Sequence, residues 1–216
     1  MISPEYTTVS GEEITLKELE ATVFVIDDDI AVCKSLRWLI ESVHLHVITF
    51  SSAKEFLDNY QPEQPGCAVL DVRMPGMSGL DLLERLAHEN IFLPVIVVTG
   101  HGDVAMAVRA MKAGATDFFE KPFKDQILLD TVQQAIEKDR HTRHKRARHE
   151  KIAGRIKLLT PREREVMDCV VRGKPNREIA VELNVSSKTV EAHRIKIMEK
   201  MQANSLAELV RAVLCQ

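Results

Sequence analysis

Five short apolar runs recur between residues 21 and 120, and a helical pattern separates each run from the next. They are ATVFVI (21–26), LHVITF (45–50), CAVLDV (67–72), LPVIVVT (93–99) and ATDFFE (115–120). Continuous apolar runs of this length are typical of strands buried on both faces, and strands that alternate with helices form parallel sheets. The sequence therefore predicts an α/β fold with a doubly wound, five-stranded parallel sheet over residues 21–125.

Polar residues stand at or directly after the ends of four of these runs. In a doubly wound sheet, ligands bind beyond the carboxyl ends of the strands. The residues placed there carry acidic, hydroxyl or ammonium groups: Asp27, Asp28, Asp29, Asp71, Thr99 and Lys121. Each signal alone also fits a solvated turn, but their order along four strand ends predicts one shared site.

The chemistry of this site follows from its carboxylates. Carboxylates held together repel each other, and Mg²⁺ relieves the repulsion with carboxylate and water ligands. A carboxylate beside such an ion can attack a phosphoryl donor. The pattern predicts Asp71 as the acceptor, with Thr99 and Lys121 contacting the phosphoryl group. The Lys121–Pro122 bond is a candidate cis peptide.

Charge divides the chain into two unlike halves. Residues 1–137 hold 10 Lys or Arg and 22 Asp or Glu, whereas residues 138–216 hold 19 and 10. Residues 1–20 are polar and predict a mobile leader. Residues 126–156 predict a last sheet-covering helix that continues as a basic linker. Its apolar face ends at Ile136, so its later turns are expected to run through solvent. The basic half suggests nucleic-acid binding, and a merely solvated basic face is the alternative.

Residues 157–216 show no strand signal and predict four short helices. Thr160, Pro161 and Glu163 form a capping-box pattern, and Ser186 is a second candidate N-cap. A short helix after Asn176, a tight turn and a longer polar helix are typical of a helix-turn-helix. The alternative is a small helical protein–protein module.

The first 125 residues resemble the receiver domain of two-component response regulators, through VIDDD, LDVRMPG, VVTGHGD and DFFEKPF. The resemblance implies a CheY-like sheet of order 2-1-3-4-5 and a sensor histidine kinase as phosphoryl donor. It makes Asp71 the phosphoacceptor and Mg²⁺ (or Mn²⁺) the metal. The implied metal ligands are Asp71, Asp28 directly, Asp27 through water and the backbone carbonyl of Arg73. Thr99 and Phe118 correspond to the family's hydroxyl–aromatic switch pair.

The C-terminal block resembles the LuxR-type DNA-binding domain of FixJ- and NarL-type regulators, through LTPREREV, GKPNREIA and SSKTVEAHR. Val190, Ile197 and Met201 follow core spacing on the third helix. The residues left for promoter DNA are Lys188, Thr189, Glu191, Ala192, Arg194 and Lys196, with Asn176 on the preceding helix. The likeness is greatest to FixJ-type regulators, including those of aromatic-hydrocarbon breakdown such as styrene catabolism. It implies a transcriptional regulator that forms a homodimer on phosphorylation and acts with RNA polymerase.

A competing interpretation is a phosphatase of the haloacid-dehalogenase type, which also uses an aspartate nucleophile and magnesium. That family carries a second Asp two residues later as general acid and base, and Arg73 stands here instead.

Other features indicate a cytoplasmic protein. The four cysteines form no Cys-x-x-Cys pair, no apolar run is long enough to span a membrane, and no signal pattern opens the chain.

Overall fold

The structure is a computed structural model that describes residues 20–214. The predicted mobile leader lies outside the described residues apart from Glu20, as does Cys215. The chain divides between His141 and Thr142 into two compact units.

The described residues form five strands and nine helices. The strands are β1 (Thr22–Ile26), β2 (His46–Phe50), β3 (Gly66–Leu70), β4 (Val95–Thr99) and β5 (Asp117–Glu120). The helices of the first unit are α1 (Ile30–Glu41), α2 (Ala53–Asn59), α3 (Gly79–His88) and α4 (Val104–Lys112). The long helix α5 (Asp125–Lys157) crosses the division, and α6 (Pro161–Val171), α7 (Asn176–Glu182), α8 (Ser187–Met201) and α9 (Leu206–Leu214) follow it.

The sheet of the first unit is parallel throughout and has the strand order β2-β1-β3-β4-β5. The predicted fold class and strand order are therefore confirmed. Apolar side chains cover both faces of the sheet. One core contains Phe24, Phe56 and Leu83, and the other contains Val25, Ile40 and Val132. Because both faces are buried, the strands read as unbroken apolar runs instead of alternating patterns.

Four strands end at or directly before a residue of the predicted site. β3 stops at Leu70, two residues short of the predicted run, so Asp71 is the first residue beyond the strand. Its backbone N–H still donates to Ile26 O at 2.9 Å, which ties the end of β3 to β1. Asp27 follows β1 directly, Thr99 closes β4 and Lys121 follows β5. The Lys121–Pro122 bond is cis, as predicted.

Helix α5 is continuous over 33 residues. Its turns after Ile136 were predicted to run through solvent, but two residues in them are buried. Asp139 is buried, and its Oδ2 accepts the Gly66 N–H at 2.9 Å. Ile152 is buried in the core of the second unit. The prediction was wrong at these two positions because Asp139 is bound to Gly66, 73 residues earlier in the chain, and Ile152 joins the core formed with the helices that follow α5.

In the second unit, α6, α7, α8 and α9 surround one apolar core. The capping box at the start of α6 is present: the Thr160 side chain accepts the Glu163 N–H, and the Glu163 carboxylate accepts the Thr160 N–H. Ser186 caps α8 through the Thr189 N–H. The predicted four-helix arrangement of this block is confirmed. Over residues 20–214, no helix is both long and apolar enough to cross a bilayer.

Candidate functional site

Lys121 joins two buried carboxylates at the carboxyl edge of the sheet. Its Nζ lies 2.9 Å from Asp27 Oδ2 and 3.3 Å from Asp71 Oδ1. The Arg73 N–H donates to Asp71 Oδ2 at 2.6 Å, and the Asp29 N–H donates to Asp27 Oδ1 at 2.9 Å. The loops after β1, β3 and β5 thus meet at one point, as the sequence predicted for the ends of parallel strands.

The electrostatics of this cluster are set by burial and by the ammonium group. Burial raises the pKa of Asp71, although the charge of Lys121 and the Arg73 N–H act in the opposite direction. Burial also acts to lower the pKa of Lys121, but its hydrogen bonds and charge interactions with Asp27 and Asp71 outweigh this and raise it. Lys121 is therefore charged at neutral pH and lies within reach of any group that Asp71 carries.

The carboxylates of this edge suit a divalent cation in charge and donor type. Asp27 and Asp71 both contact Lys121, so two carboxylates share one ammonium group, and Asp28, the next residue after Asp27, is exposed. This excess of negative charge suits Mg²⁺, which binds a few carboxylates and keeps several waters. Among residues 20–214, however, no three acidic, His or Cys side chains are already gathered around one point. Asp29 is the N-cap of α1, where its side chain accepts the Ala31 N–H, so it has a structural role.

Thr99 and Phe118 both lie close to Gly102. Thr99 is fully buried, and its Oγ1 accepts the His101 N–H at 3.4 Å. Phe118 is half-buried against the core. A Cβ built on Gly102 would lie 3.1 Å from the Phe118 ring and 3.5 Å from Thr99 Cγ2. The two predicted switch residues are therefore linked through Gly102, which the sequence argument did not single out.

Helix α8 separates core and exposed residues as its spacing predicts. Val190, Ile197 and Met201 are buried. Five of the residues predicted to contact DNA are exposed on the same helix: Lys188, Thr189, Glu191, Ala192 and Lys196. Arg194 is half-buried and its Nη1 donates to Asn176 Oδ1 at 2.9 Å, so the structure brings these two predicted DNA-binding residues together.

The orientation of α8 depends on a buried carboxylate. Lys200 Nζ lies 2.6 Å from Glu163 Oε2 and 3.2 Å from Leu158 O, which ties the last turn of α8 to the start of α6. The hydrogen bond from Lys200 and the Thr160 N–H lower the pKa of Glu163 to about 2. The ion pair joins residues 37 positions apart, so no local pattern predicts it.

We expect Glu163→Gln to destabilise the second unit by about 1–3 kcal/mol at pH 7, because the ion pair and part of the cap are lost. A carboxylate with a depressed folded-state pKa stabilises above its unfolded pKa, near 4.5, and this stabilisation is lost as pH falls toward 2. The difference in the free energy of unfolding between Glu163→Gln and wild type should therefore be smaller at pH 3 than at pH 5, as measured by calorimetry. The control is Glu165→Gln, an exposed pair with Arg162, which should change little. An equal loss at both pH values would contradict the assignment.

Each unit of the chain matches a known protein family. Residues 23–133 match the family model "Response regulator receiver domain", and residues 157–213 match "Bacterial regulatory proteins, luxR family". The chain is 47% identical over 192 residues to Nodulation protein W of Bradyrhizobium diazoefficiens, covering 89% of this chain and 85% of that protein. It is also 47% identical over 192 residues to transcriptional regulatory protein FixJ of Azorhizobium caulinodans, covering 89% and 91%. The solved structure of response regulator StyR is similar with a TM-score of 0.84 and 44% identity, over 91% of this chain and all of that one.

The chain therefore belongs to the two-component response regulators that join a receiver domain to a LuxR-type DNA-binding domain. The resemblance predicted from the sequence is confirmed, and its relatives are transcriptional regulators. The two matches favour this class over the phosphatase and over a helical protein–protein module. The roles of the individual site residues remain predictions.

Proposed function

We propose that this protein is a transcriptional regulator switched by phosphorylation of Asp71. The observation that carries the proposal is the position of Lys121 Nζ, 3.3 Å from Asp71 Oδ1 at the edge of the sheet. An Asp71 oxygen attacks the phosphorus of a phosphohistidine on a partner histidine kinase. The P–N bond breaks, and the histidine nitrogen recovers its lone pair and takes a proton from solvent. Lys121 then faces the new phosphoryl charge.

The metal ligands proposed are Asp71, Asp28, the Arg73 backbone carbonyl and, through water, Asp27. Bound Mg²⁺ (or Mn²⁺) would supply charge neutralisation at the phosphoryl oxygens. Asp27 holds Lys121 in place through the 2.9 Å contact, so the ammonium group stays near the acceptor. Acidic side chains on neighbouring strand ends are the donors that magnesium prefers, which supports this set.

The proposed output of the receiver is a change of surface at α4 and β5. The Thr99 hydroxyl is drawn toward the phosphoryl group, and Phe118 moves into the space that Thr99 leaves. Gly102 lies against both side chains and so permits this movement. α4 carries the exposed apolar residues Val104, Val108 and Met111, a surface suited to contact with a second copy of the chain. Dimerisation at this surface is therefore part of the proposal.

The proposed DNA contacts are those of α8 with Asn176. A dimer places two such helices on two half-sites of promoter DNA. The exposed basic residues of α5 add affinity that does not depend on DNA sequence and falls with salt. We further propose that the protein works in the cytoplasm with RNA polymerase. The resemblance of the sequence to FixJ-type regulators of aromatic-hydrocarbon breakdown suggests target genes of that class.

We expect activation with Mg²⁺ and beryllofluoride, a mimic of the phosphoryl group, to raise DNA affinity at least tenfold and to produce dimers. The affinity gain follows because two linked half-site contacts replace one. The probe is a duplex enriched from a randomised library by the activated full-length protein, and binding is measured by fluorescence anisotropy. An affinity that stays unchanged on activation would contradict the proposal.

A further inference from the structure

Ile195 is a large apolar side chain that α8 exposes to solvent. It is 66% exposed, although its helix contributes three almost fully buried residues to the core. At about 100° per residue, Ile195 lies within about 60° of Lys188, Glu191 and Ala192 around the helix axis. Those three are exposed and belong to the proposed DNA-contacting set. Ile195 was not in that set and lies at the centre of the face that the set defines.

The core of the second unit does not need this side chain. Val190 and Ile197 lie on the opposite side of α8 from Ile195, and both are buried. The side chain of Ile195 therefore adds little to folding stability, and its apolar surface gains burial only when α8 meets a partner.

The charges around Ile195 indicate which partner this is. Lys188 and Lys196 flank it on the same exposed side of the helix, and neither forms an ion pair among the described residues. Two unpaired ammonium groups beside an apolar centre suit phosphates at the rim of a groove and an apolar group on its floor. In the major groove, that apolar group is the C5 methyl of thymine, which no other standard base presents.

We propose that Ile195 contacts a thymine methyl group in the major groove and so helps to determine which promoter sequence is bound. This inference rests on the proposed function, in which α8 enters the groove. In this proposal, Ile195 contacts thymine, Lys188 attracts a phosphate group, and the Glu191 carboxylate accepts a hydrogen bond from a cytosine amino group.

The test is a double-mutant cycle between the side chain and the methyl group. The probe is the duplex enriched from a randomised library, prepared with each thymine in turn replaced by deoxyuridine, which lacks only the C5 methyl. With activated wild-type protein, we expect replacement at one or two positions to weaken binding about three- to tenfold. Ile195→Ala should weaken binding to the unmodified duplex by a similar factor and show no further loss at those positions.

Two controls make the outcome decisive. Val181→Ala removes an 83% exposed apolar side chain from α7 and should keep the wild-type deoxyuridine pattern. Lys188→Ala should weaken binding to every duplex. It should also reduce the slope of log binding constant against log salt concentration by about one, because one fewer counterion is released. If Ile195→Ala keeps the wild-type deoxyuridine pattern, or the wild type shows no such pattern while Lys188→Ala weakens binding, the thymine contact is wrong and the proposed function stands. If the activated wild-type protein enriches no sequence from the library, the proposed function fails together with the thymine contact.

Discussion

Asp71→Asn is expected to abolish phosphoryl transfer to this protein while the receiver unit stays folded. Asparagine keeps the shape of the side chain but removes the carboxylate oxygen that attacks phosphorus. Burial raises the pKa of Asp71, so the ionised carboxylate opposes folding at neutral pH. A neutral amide therefore removes a cost, and we expect the stability of the variant to equal or exceed that of the wild type.

The measurement is incubation with acetyl phosphate and Mg²⁺, followed by intact-mass spectrometry. Wild type should gain one phosphoryl group that alkaline hydroxylamine removes, as expected for an acyl phosphate. Asp58→Asn is the matched control, because Asp58 is exposed on α2 and lies outside the loops that follow β1, β3 and β5. It should be labelled like the wild type. Labelling of Asp71→Asn at the wild-type rate would place the acceptor at another residue.

The second large effect is expected for Gly79→Ala, because the first residue of α3 touches the backbone of the acceptor. A Cβ on Gly79 would lie 2.0 Å from the Asp71 carbonyl oxygen and 3.0 Å from Val72 Cα. The Gly79 N–H also donates to Val72 O at 2.9 Å, so the two segments cannot separate without breaking this bond. We expect a loss of about 3 kcal/mol or more in the free energy of unfolding.

Gly154→Ala provides the opposite control within the same chain. Gly154 lies inside α5, and among the described residues no atom other than those of its chain neighbours and the adjoining helix backbone lies within 4 Å of the position of its Cβ. Alanine is the better helix former, so this variant should be stabilised by about 0.5–1 kcal/mol. Both are measured by urea unfolding followed by circular dichroism. A Gly79→Ala protein as stable as Gly154→Ala would show that the close approach at Asp71 is not present.

The sequence was most informative where a local pattern fixes the structure. The apolar runs predicted the five strands, and the polar residues at four of the run ends predicted the position of Asp27, Asp71 and Lys121 at one edge. The capping box of Thr160 and Glu163 was also predictable, because both partners lie within one helical turn. In each case the interaction depends on residues close in sequence or on the general geometry of parallel strands.

Contacts between distant segments were not predictable in this way. Nothing near Asp139 indicates that its carboxylate accepts the Gly66 N–H, and nothing near Lys200 indicates its pair with Glu163. The exposure of Ile195 was also missed. Apolar residues on both sides of a helix are ambiguous in sequence, and only the packing of Val190 and Ile197 shows which side faces the core.

Phosphorylation at Asp71 is proposed to control assembly of the protein, and the solution mass of the full-length protein tests this proposal. Light scattering with and without Mg²⁺ plus beryllofluoride would be compared for wild type and Asp71→Asn. We expect the mass of activated wild type to double from that of a 24.4 kDa chain and the mass of Asp71→Asn to stay unchanged. If activated wild type keeps the mass of a monomer, or if Asp71→Asn doubles as well, the proposed control of dimerisation by Asp71 is wrong.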